Sequence, residues 1–290
     1  MVYYNYLWVK QTGQSADQWH YIVVSADRNT ADTFFRILDT NRSFTIPRLN
    51  TSESIKDLTR VSPQLWTYDC VDASMPARLN FVVSGNAPEV ADKIPAFADV
   101  MGKIKIVHMG PINTLRGDAS GWTIPTPKMD FPLDGEDWLS GYSFYVRRRG
   151  FPNVYWYNDG GLITLSQHKR SRFIVTVQNS RLRPSAKIPI IAKDKLKIQW
   201  VGGDSTRRPL DIIGGFLAVS TGETKLFDFS DLSQRFSILW AEDGSSEPNN
   251  PYKDVKITWS SESGSNNDSF ELCEGMPVGE LGGLGDNDEY

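Results

Sequence analysis

The sequence is poor in the residue types that most often carry metal and nucleophilic chemistry. It has two cysteines and three histidines among 290 residues. Cys70 and Cys273 are too few for a disulfide framework and too far apart for a local zinc knuckle, and two free thiols are favoured over a single bridge. His20, His108 and His168 form neither His-x-His nor His-Glu-x-x-His. We therefore expect no metal and no cofactor.

Catalytic and targeting motifs are also missing. The chain contains neither Gly-x-Ser-x-Gly nor the phosphate loop Gly-x-x-x-x-Gly-Lys-Ser/Thr. It has no run of roughly 18 to 20 apolar residues that could span a bilayer. The first residues lack the basic start and apolar run of a signal peptide. These absences predict a cytoplasmic protein without a membrane span, and they favour a role other than catalysis.

The chain does contain a sequence motif that occurs three times. The motif is an apolar strand ending in Ser, followed by a polar loop and an aromatic strand. The copies are residues 21–25 with 35–38, 162–166 with 172–175, and 216–220 with 235–239. Repeated strand, loop and strand are typical of antiparallel hairpins. Further strands are predicted at 34–38, 78–84 and 103–107, and eight more between residues 143 and 259. Only residues 86–90 carry helix signals, so we expect an all-β fold with at most short helices.

Short strands at close spacing are typical of a β-sandwich, a jelly roll or a β-trefoil. The recurring motif resembles the hairpin unit of β-trefoil proteins, although the Gln-x-Trp signature of ricin-type lectins is absent. The likeness is confined to the three copies, whose spacing is unequal. It implies a fold and no function.

Composition divides the chain into four segments. Residues 1–109 and 139–260 are predicted to be β-rich halves, and residues 110–138 form a crossover crowded with Pro, Gly and aromatic residues. Residues 261–290 are acidic and rich in Gly and Ser, which predicts a tail that cannot form a core alone.

Charge is unevenly placed although the net charge is only -4. Residues 147–208 contain 14 Lys and Arg against three acids, whereas residues 241–290 contain 12 acids against two lysines. This asymmetry has three explanations: an anionic partner for the basic segment, an acidic tail that folds back over it, or solvated strand faces.

The segment 155–161, Tyr-Trp-Tyr-Asn-Asp-Gly-Gly, is the main candidate for ligand binding. A sugar needs an aromatic face for stacking and polar groups for its hydroxyls. Trp156 and Tyr157 offer the ring, and Asn158 and Asp159 offer the polar partners. The competing interpretation is a buried hairpin with an Asn-Asp-Gly-Gly turn.

A second candidate site is basic. Hairpin neighbours bring guanidinium groups together into a site for phosphate or sulfate. Its predicted residues are Arg147, Arg149, His168, Lys169, Arg170 and Arg172. Nucleic acid is not expected as the ligand, because the whole chain is acidic and no nucleic-acid fold signature is present.

These patterns favour a non-catalytic, lectin-like protein that recognises a carbohydrate. One alternative is an enzyme that uses scattered carboxylates to act on a carbohydrate or small metabolite. Two groups of these carboxylates lie beside tryptophans in the sequence. Those carboxylates are Asp134, Glu136, Asp137, Glu242 and Asp243. The other alternative is an oligomeric, capsid- or coat-like assembly protein, in which the basic segment pairs with the acidic tail across subunits.

Overall fold

The computed structural model describes residues 2–11, 18–41, 43–46, 51–70, 79–80, 82–84, 95–111, 137–178, 188–204, 206–222, 224–240, 252, 255–262 and 268–278. The chain divides into two compact units, Met1–Asp137 and Trp138–Tyr290. The predicted helical turn at residues 86–90 and most of the crossover, residues 112–136, lie outside the described residues. Of the helices in the described ranges, none has the length and apolar composition needed to cross a bilayer.

The first unit is built on a six-stranded sheet in the order β3-β4-β5-β1-β2-β6. Its elements are β1 (Tyr3–Gln11), β2 (Gln18–Ser25), α1 (Arg28–Thr40), β3 (Ser43–Ile46), β4 (Thr51–Ser62), β5 (Leu65–Cys70), a 3-10 turn (Pro95–Phe97) and β6 (Ile104–Pro111). Strands β1 and β5 run parallel. The other pairs are antiparallel.

Helix α1 replaces the strand predicted at residues 34–38, so that prediction is wrong. The Asp27 side chain caps the helix by accepting a 2.7 Å hydrogen bond from the Thr30 backbone N–H. Ala31, Phe34 and Leu38 follow the helical spacing and are fully buried. The strand predicted at 78–84 is also wrong, because residues 79–80 and 82–83 are helical.

The second unit is almost entirely β-structure. Its elements are β7 (Tyr142–Arg148), β8 (Tyr155–Asp159), β9 (Leu162–Ser166), β10 (Phe173–Val177), β11 (Lys195–Val201), β12 (Arg207–Ile213), β13 (Phe216–Val219), β14 (Phe227–Asp228), α2 (Asp231–Gln234), β15 (Phe236–Leu239), β16 (Lys256–Trp259) and β17 (Phe270–Pro277). All eight strands predicted between residues 143 and 259 are confirmed. Strands β12, β14 and β17 were not predicted from the sequence.

Eight strands of this unit close into a barrel in the order β7-β8-β9-β16-β13-β12-β11-β10. The pairing of β10 with β7 completes the ring. Strand β17 pairs with β7 beside the ring. The all-β prediction is therefore confirmed. The second unit is a barrel rather than a sandwich or jelly roll.

The recurring motif does not form a hairpin unit. In the second copy, β9 pairs with β8, β13 and β16, whereas β10 pairs with β7 and β11. In the first copy the second half lies in α1. In the second unit, β8–β9 and β12–β13 are tight hairpins, and their two-residue Gly-Gly loops have positive φ at all four glycines.

Aromatic side chains fill the interior of the barrel. Trp156 makes edge contacts with Phe173, Phe236 and Phe270, at centroid distances of 5.8, 5.2 and 5.5 Å. All four rings are buried. Because the strand pleat alternates, the neighbours of these residues point to the outside of the barrel wall, where the candidate site lies.

Candidate functional site

Trp156, the first choice for sugar stacking, lies in the barrel core. Its side chain is 0% exposed and is surrounded by phenylalanine rings. Neither face of the indole is available to a ligand. Tyr155 and Tyr157, one position to either side, lie on the opposite face of β8.

Asn158 and Asp159 form the end of the β8–β9 hairpin. The Asn158 Oδ1 accepts a 3.0 Å hydrogen bond from the backbone N–H of Gly161. The Asn158 backbone N–H donates to the Ser171 Oγ at 3.0 Å. Asn158 therefore shapes the turn and anchors the following loop, whereas the Asp159 side chain is exposed at the tip.

The loop between β9 and β10 lies across the outside of β7 and β8 and stacks its cations on tyrosine rings. The Arg170 guanidinium lies 3.9 Å from the ring centroid of Tyr145 and 5.7 Å from that of Tyr155. The Arg172 guanidinium lies 4.2 Å from the Tyr145 centroid. These distances are typical of cation–π contacts.

Lys169 extends the same arrangement to β8, since its Nζ lies 5.4 Å from the Tyr157 ring centroid. The structure thus brings the two candidate sites together on one surface. We call this surface the arginine–tyrosine face. It consists of Tyr145, Arg147, Arg149, Tyr155, Tyr157, Lys169, Arg170 and Arg172.

Strand β17 supplies carboxylates to this face. The Glu271 Oε1 lies 2.7 Å from the Arg147 Nε, and its Oε2 lies 3.7 Å from the Arg149 Nε. The Glu274 Oε1 accepts a 2.7 Å hydrogen bond from the Arg170 Nη1. The described acids of β17 therefore pair with the basic segment within one chain, which agrees with one of the three explanations of the charge asymmetry.

The acids hold the arginines without neutralising the whole face. Burial lowers the pKa of Arg147, while the hydrogen bond and charge of Glu271 raise it, and the net shift is upward. Arg147 thus stays charged. Arg149 keeps 56% of its side chain exposed, so its guanidinium reaches solvent. The five Arg and Lys residues of the face outnumber the carboxylates of Asp159, Glu271 and Glu274.

Three residues of this region were not identified from the sequence: Tyr145, Glu271 and Glu274. The available signal was the alternation in β7, where Phe144 and Val146 are buried in the core and Tyr145 belongs to the outer cluster. Cys273 belongs to the same outer cluster and is a buried free thiol. Its Sγ donates to the Tyr145 carbonyl oxygen at 3.6 Å.

His168, the remaining predicted anion ligand, has an exposed side chain, and its backbone N–H donates to the Ser166 Oγ at 3.1 Å. His108 is exposed on β6, and its ring packs against that of Tyr21 in a tilted arrangement with a 5.0 Å centroid distance. The side chain of His20 lies outside the described residues.

Of the carboxylates considered for catalysis, Asp134, Glu136, Glu242 and Asp243 lie outside the described residues. Asp137 is described, and its Oδ1 lies 2.9 Å from the Nη2 of the buried Arg60 in a partly buried ion pair. Within the described part of the chain, no three His, Cys, Asp or Glu side chains converge as metal ligands.

Comparison with known proteins gives no match to a family model, a curated protein or a solved structure.

Proposed function

We propose that the chain is a non-catalytic, lectin-like binding protein whose arginine–tyrosine face binds an anionic carbohydrate, sulfated or carboxylated. The observation that carries the proposal is the stacking of Lys169, Arg170 and Arg172 on tyrosine rings of the outer barrel wall. Bare surface lysines and arginines have no such support.

Stacking on a ring restricts the plane of a guanidinium, and the Nη1 atoms of Arg170 and Arg172 are further held by hydrogen bonds to the carboxylate and the backbone oxygen of Glu274. Arginine recognises carboxylate and sulfate-like oxygens through a planar fork of donors. Because Arg170 and Arg172 are held before a ligand arrives, less side-chain entropy is lost on binding. Arg147 and Arg149 extend the positive surface along β7, and Glu271 fixes their positions.

The carboxylates of the face favour a sugar over a uniformly charged polyanion. Asp159 is exposed at the hairpin tip, beside the ring of Tyr157 that lies under Lys169. A carboxylate repels closely spaced phosphates but accepts hydrogen bonds from hydroxyls. A ligand with anionic groups separated by hydroxyls fits this alternation, and an acidic carbohydrate is such a ligand.

The assembly alternative depended on pairing of the basic segment with the acidic tail between subunits. Ion pairs of that kind occur within the chain, namely Arg147–Glu271, Arg148–Asp268 and Arg170–Glu274. Charges that already form ion pairs within one chain contribute less to association between chains. This pairing supports the binding role over the assembly role.

The test is binding of the full chain to an array of neutral, sulfated and uronate-containing glycans, followed by retention on heparin at increasing salt. We expect binding to sulfated or carboxylated glycans that weakens as salt rises, because the surface is exposed and screened. The Arg149→Gln/Lys169→Gln double variant removes two charges that lie outside the core. Its affinity should fall about 10-fold, a typical effect of losing charge-assisted hydrogen bonds.

The matched control is Lys195→Gln/Arg207→Gln, which removes two exposed charges from β11 and β12 of the same barrel. It should bind the glycans as the unmodified chain does. Equal losses in both double variants would show that only net charge matters. That result, or an array on which the folded chain binds no acidic glycan, would overturn the proposal.

A further inference from the structure

Strand β17 contains a β-bulge beside the arginine–tyrosine face. Its register against β7 shifts between Cys273 and Met276. Two residues of β17, Glu274 and Gly275, therefore lie opposite the single residue Phe144 of β7. The backbone of Glu274 has a φ of 51°, in the left-handed region that few residues other than glycine adopt. Surrounding structure holds such a residue in place, and residues of this kind cluster at functional sites.

The bulge changes the direction of the Glu274 side chain. Along β17, Phe270 and Leu272 belong to the barrel core, whereas Glu271 and Cys273 lie on the outer side. Strict alternation would turn the next residue, Glu274, towards the core. The extra residue instead leaves its side chain 43% exposed on the outer wall. The bulge therefore directs one carboxylate at the arginine–tyrosine face.

Glu274 contacts both of the arginines that stack on Tyr145. Its Oε1 accepts a 2.7 Å hydrogen bond from the Arg170 Nη1, and its backbone oxygen accepts one of 2.9 Å from the Arg172 Nη1. The Arg170 guanidinium lies 3.9 Å from the Tyr145 centroid, and its side chain is only 11% exposed. Glu274 thus covers the cation that has the shortest ring contact on this face.

The two contacts of Glu274 differ in whether a ligand can replace them. The backbone oxygen remains on Arg172 when the Glu274 side chain rotates away. The contact with Arg170 is an ion pair to an exposed carboxylate, and pairs of this kind contribute little stability. Arg170 keeps its position on the rings of Tyr145 and Tyr155 after the carboxylate leaves. The side chain can therefore be displaced without loss of the stacked arginines.

We propose that the Glu274 carboxylate is an intramolecular stand-in for the anionic group of the ligand, which displaces it and binds Arg170 in its place. This inference rests on the proposed function of the face. The incoming group is a carboxylate or a sulfate of an acidic carbohydrate, because each offers the anionic oxygen that the Arg170 Nη1 already holds. A group in the same chain competes at a high effective concentration. Glu274 therefore lowers the affinity of the face for every ligand that uses Arg170.

The test is binding of the full chain to dextran sulfate, hyaluronan and neutral dextran, which present sulfate, carboxylate and hydroxyl groups. Glu274→Gln removes the charge of the stand-in and should tighten binding to one or both acidic polymers about 5-fold, the effect of relieving competition by an exposed ion pair. A gain for one acidic polymer alone identifies the group that replaces Glu274. An equal gain for neutral dextran would overturn the proposal.

Glu274→Asp separates the contact from the charge. Its side chain is one methylene shorter, so the carboxylate no longer reaches Arg170 while the net charge is unchanged, and binding should again tighten. Glu262→Gln removes an exposed carboxylate elsewhere in the second unit and should leave binding unchanged. Equal gains in Glu262→Gln and Glu274→Gln, or a gain in Glu274→Gln without one in Glu274→Asp, would assign the effect to net charge and overturn the proposal.

The sign of the change separates a stand-in from a positioning role. If Glu274 only held Arg170 in place, Glu274→Gln would weaken binding. That result, or an unchanged affinity, overturns the stand-in and leaves the proposed function intact. If the unmodified chain and both Glu274 variants are folded by near-ultraviolet circular dichroism and bind neither acidic polymer, the proposed function is overturned as well.

Discussion

The Arg60 guanidinium lies 2.8 Å from the carboxylate of Asp32, and their side chains are only 1% and 2% exposed. The same Nη2 lies 2.9 Å from Asp137. Burial lowers the pKa of Arg60, the charges and hydrogen bonds of Asp32 and Asp137 raise it, and the net shift is upward. Arg60 is therefore a charged link between β4, α1 and the end of the first unit.

Arg60→Met should strongly destabilise the first unit. The substitution fills a similar volume but leaves the Asp32 carboxylate buried beside fewer cations, and breaking a buried pair in this way costs about 3 to 5 kcal/mol. Urea unfolding followed by fluorescence measures the loss. Lys105→Met removes an exposed charge of the same unit and should change the unfolding free energy by less than about 0.5 kcal/mol. Comparable losses in the two variants would show that Arg60 does not act through its buried ion pairs.

Tyr3 should make the stability of the chain fall at alkaline pH. Burial raises its pKa from 10.0 to about 12; the charges of Asp32 and Asp137 add to the rise, and those of Arg28 and Arg60 oppose it. Because the folded pKa exceeds the unfolded one, this contribution is complete below pH 10 and is lost as pH rises towards 12.

Tyr3→Phe isolates that effect. The loss of unfolding free energy between pH 9 and pH 11 should be smaller in the variant by about 1 kcal/mol, a shift discounted for partial solvent access. The variant should be no less stable at neutral pH, since the Tyr3 hydroxyl has no hydrogen-bond partner among the described residues. Tyr4→Phe, at a side chain that is 52% exposed, is the control. Equal alkaline losses in all three proteins would contradict the prediction.

Eight strands of the second unit were predictable because each is a short apolar run bounded by turn formers. Helix α1 was missed because Phe34, Phe35, Ile37 and Leu38 also suit a strand. The deciding signals were Asp27 as a helix cap and the spacing that buries Ala31, Phe34 and Leu38 on one side. Tertiary packing of that face selected the helix.

The candidate site was predictable only in part. Aromatic residues occupy both faces of β8, so alternation alone did not indicate whether Trp156 or its neighbouring tyrosines face the core. The stacking of Arg172 on Tyr145 follows from the register that places Phe173 opposite Phe144, a pairing between strands distant in sequence. Strand β17 was hidden within an acidic, glycine-rich composition, although Phe270 and Leu272 alternate with Glu271 and Cys273.

Gly275→Ala should disturb the contact between β17 and the barrel. A Cβ atom at this position would lie 2.6 Å from the Phe144 Cε1, and Phe144 is fully buried. Relieving that clash requires a shift of the ring or of β17, and overpacking of this kind costs about 1 to 3 kcal/mol. Gly222→Ala is the control, since a Cβ atom at that position would lie 3.7 Å from the Ser220 Oγ, an ordinary van der Waals distance. Equal unfolding free energies for the two variants would contradict the prediction.

Trp156 should matter for folding and not for ligand contact. Its removal as Trp156→Ala should cost about 3 to 5 kcal/mol, because a large ring leaves a cavity among Phe173, Phe236 and Phe270. Trp156→Phe keeps an aromatic ring and removes an indole N–H that has no partner among the described residues, so its cost should be smaller, about 1 to 2 kcal/mol. The folded Trp156→Phe protein should bind acidic glycans with unchanged affinity and salt dependence. Selective loss of binding in this variant, with the unfolding free energy preserved, would show that Trp156 contacts the ligand. It would contradict the placement of Trp156 in the core.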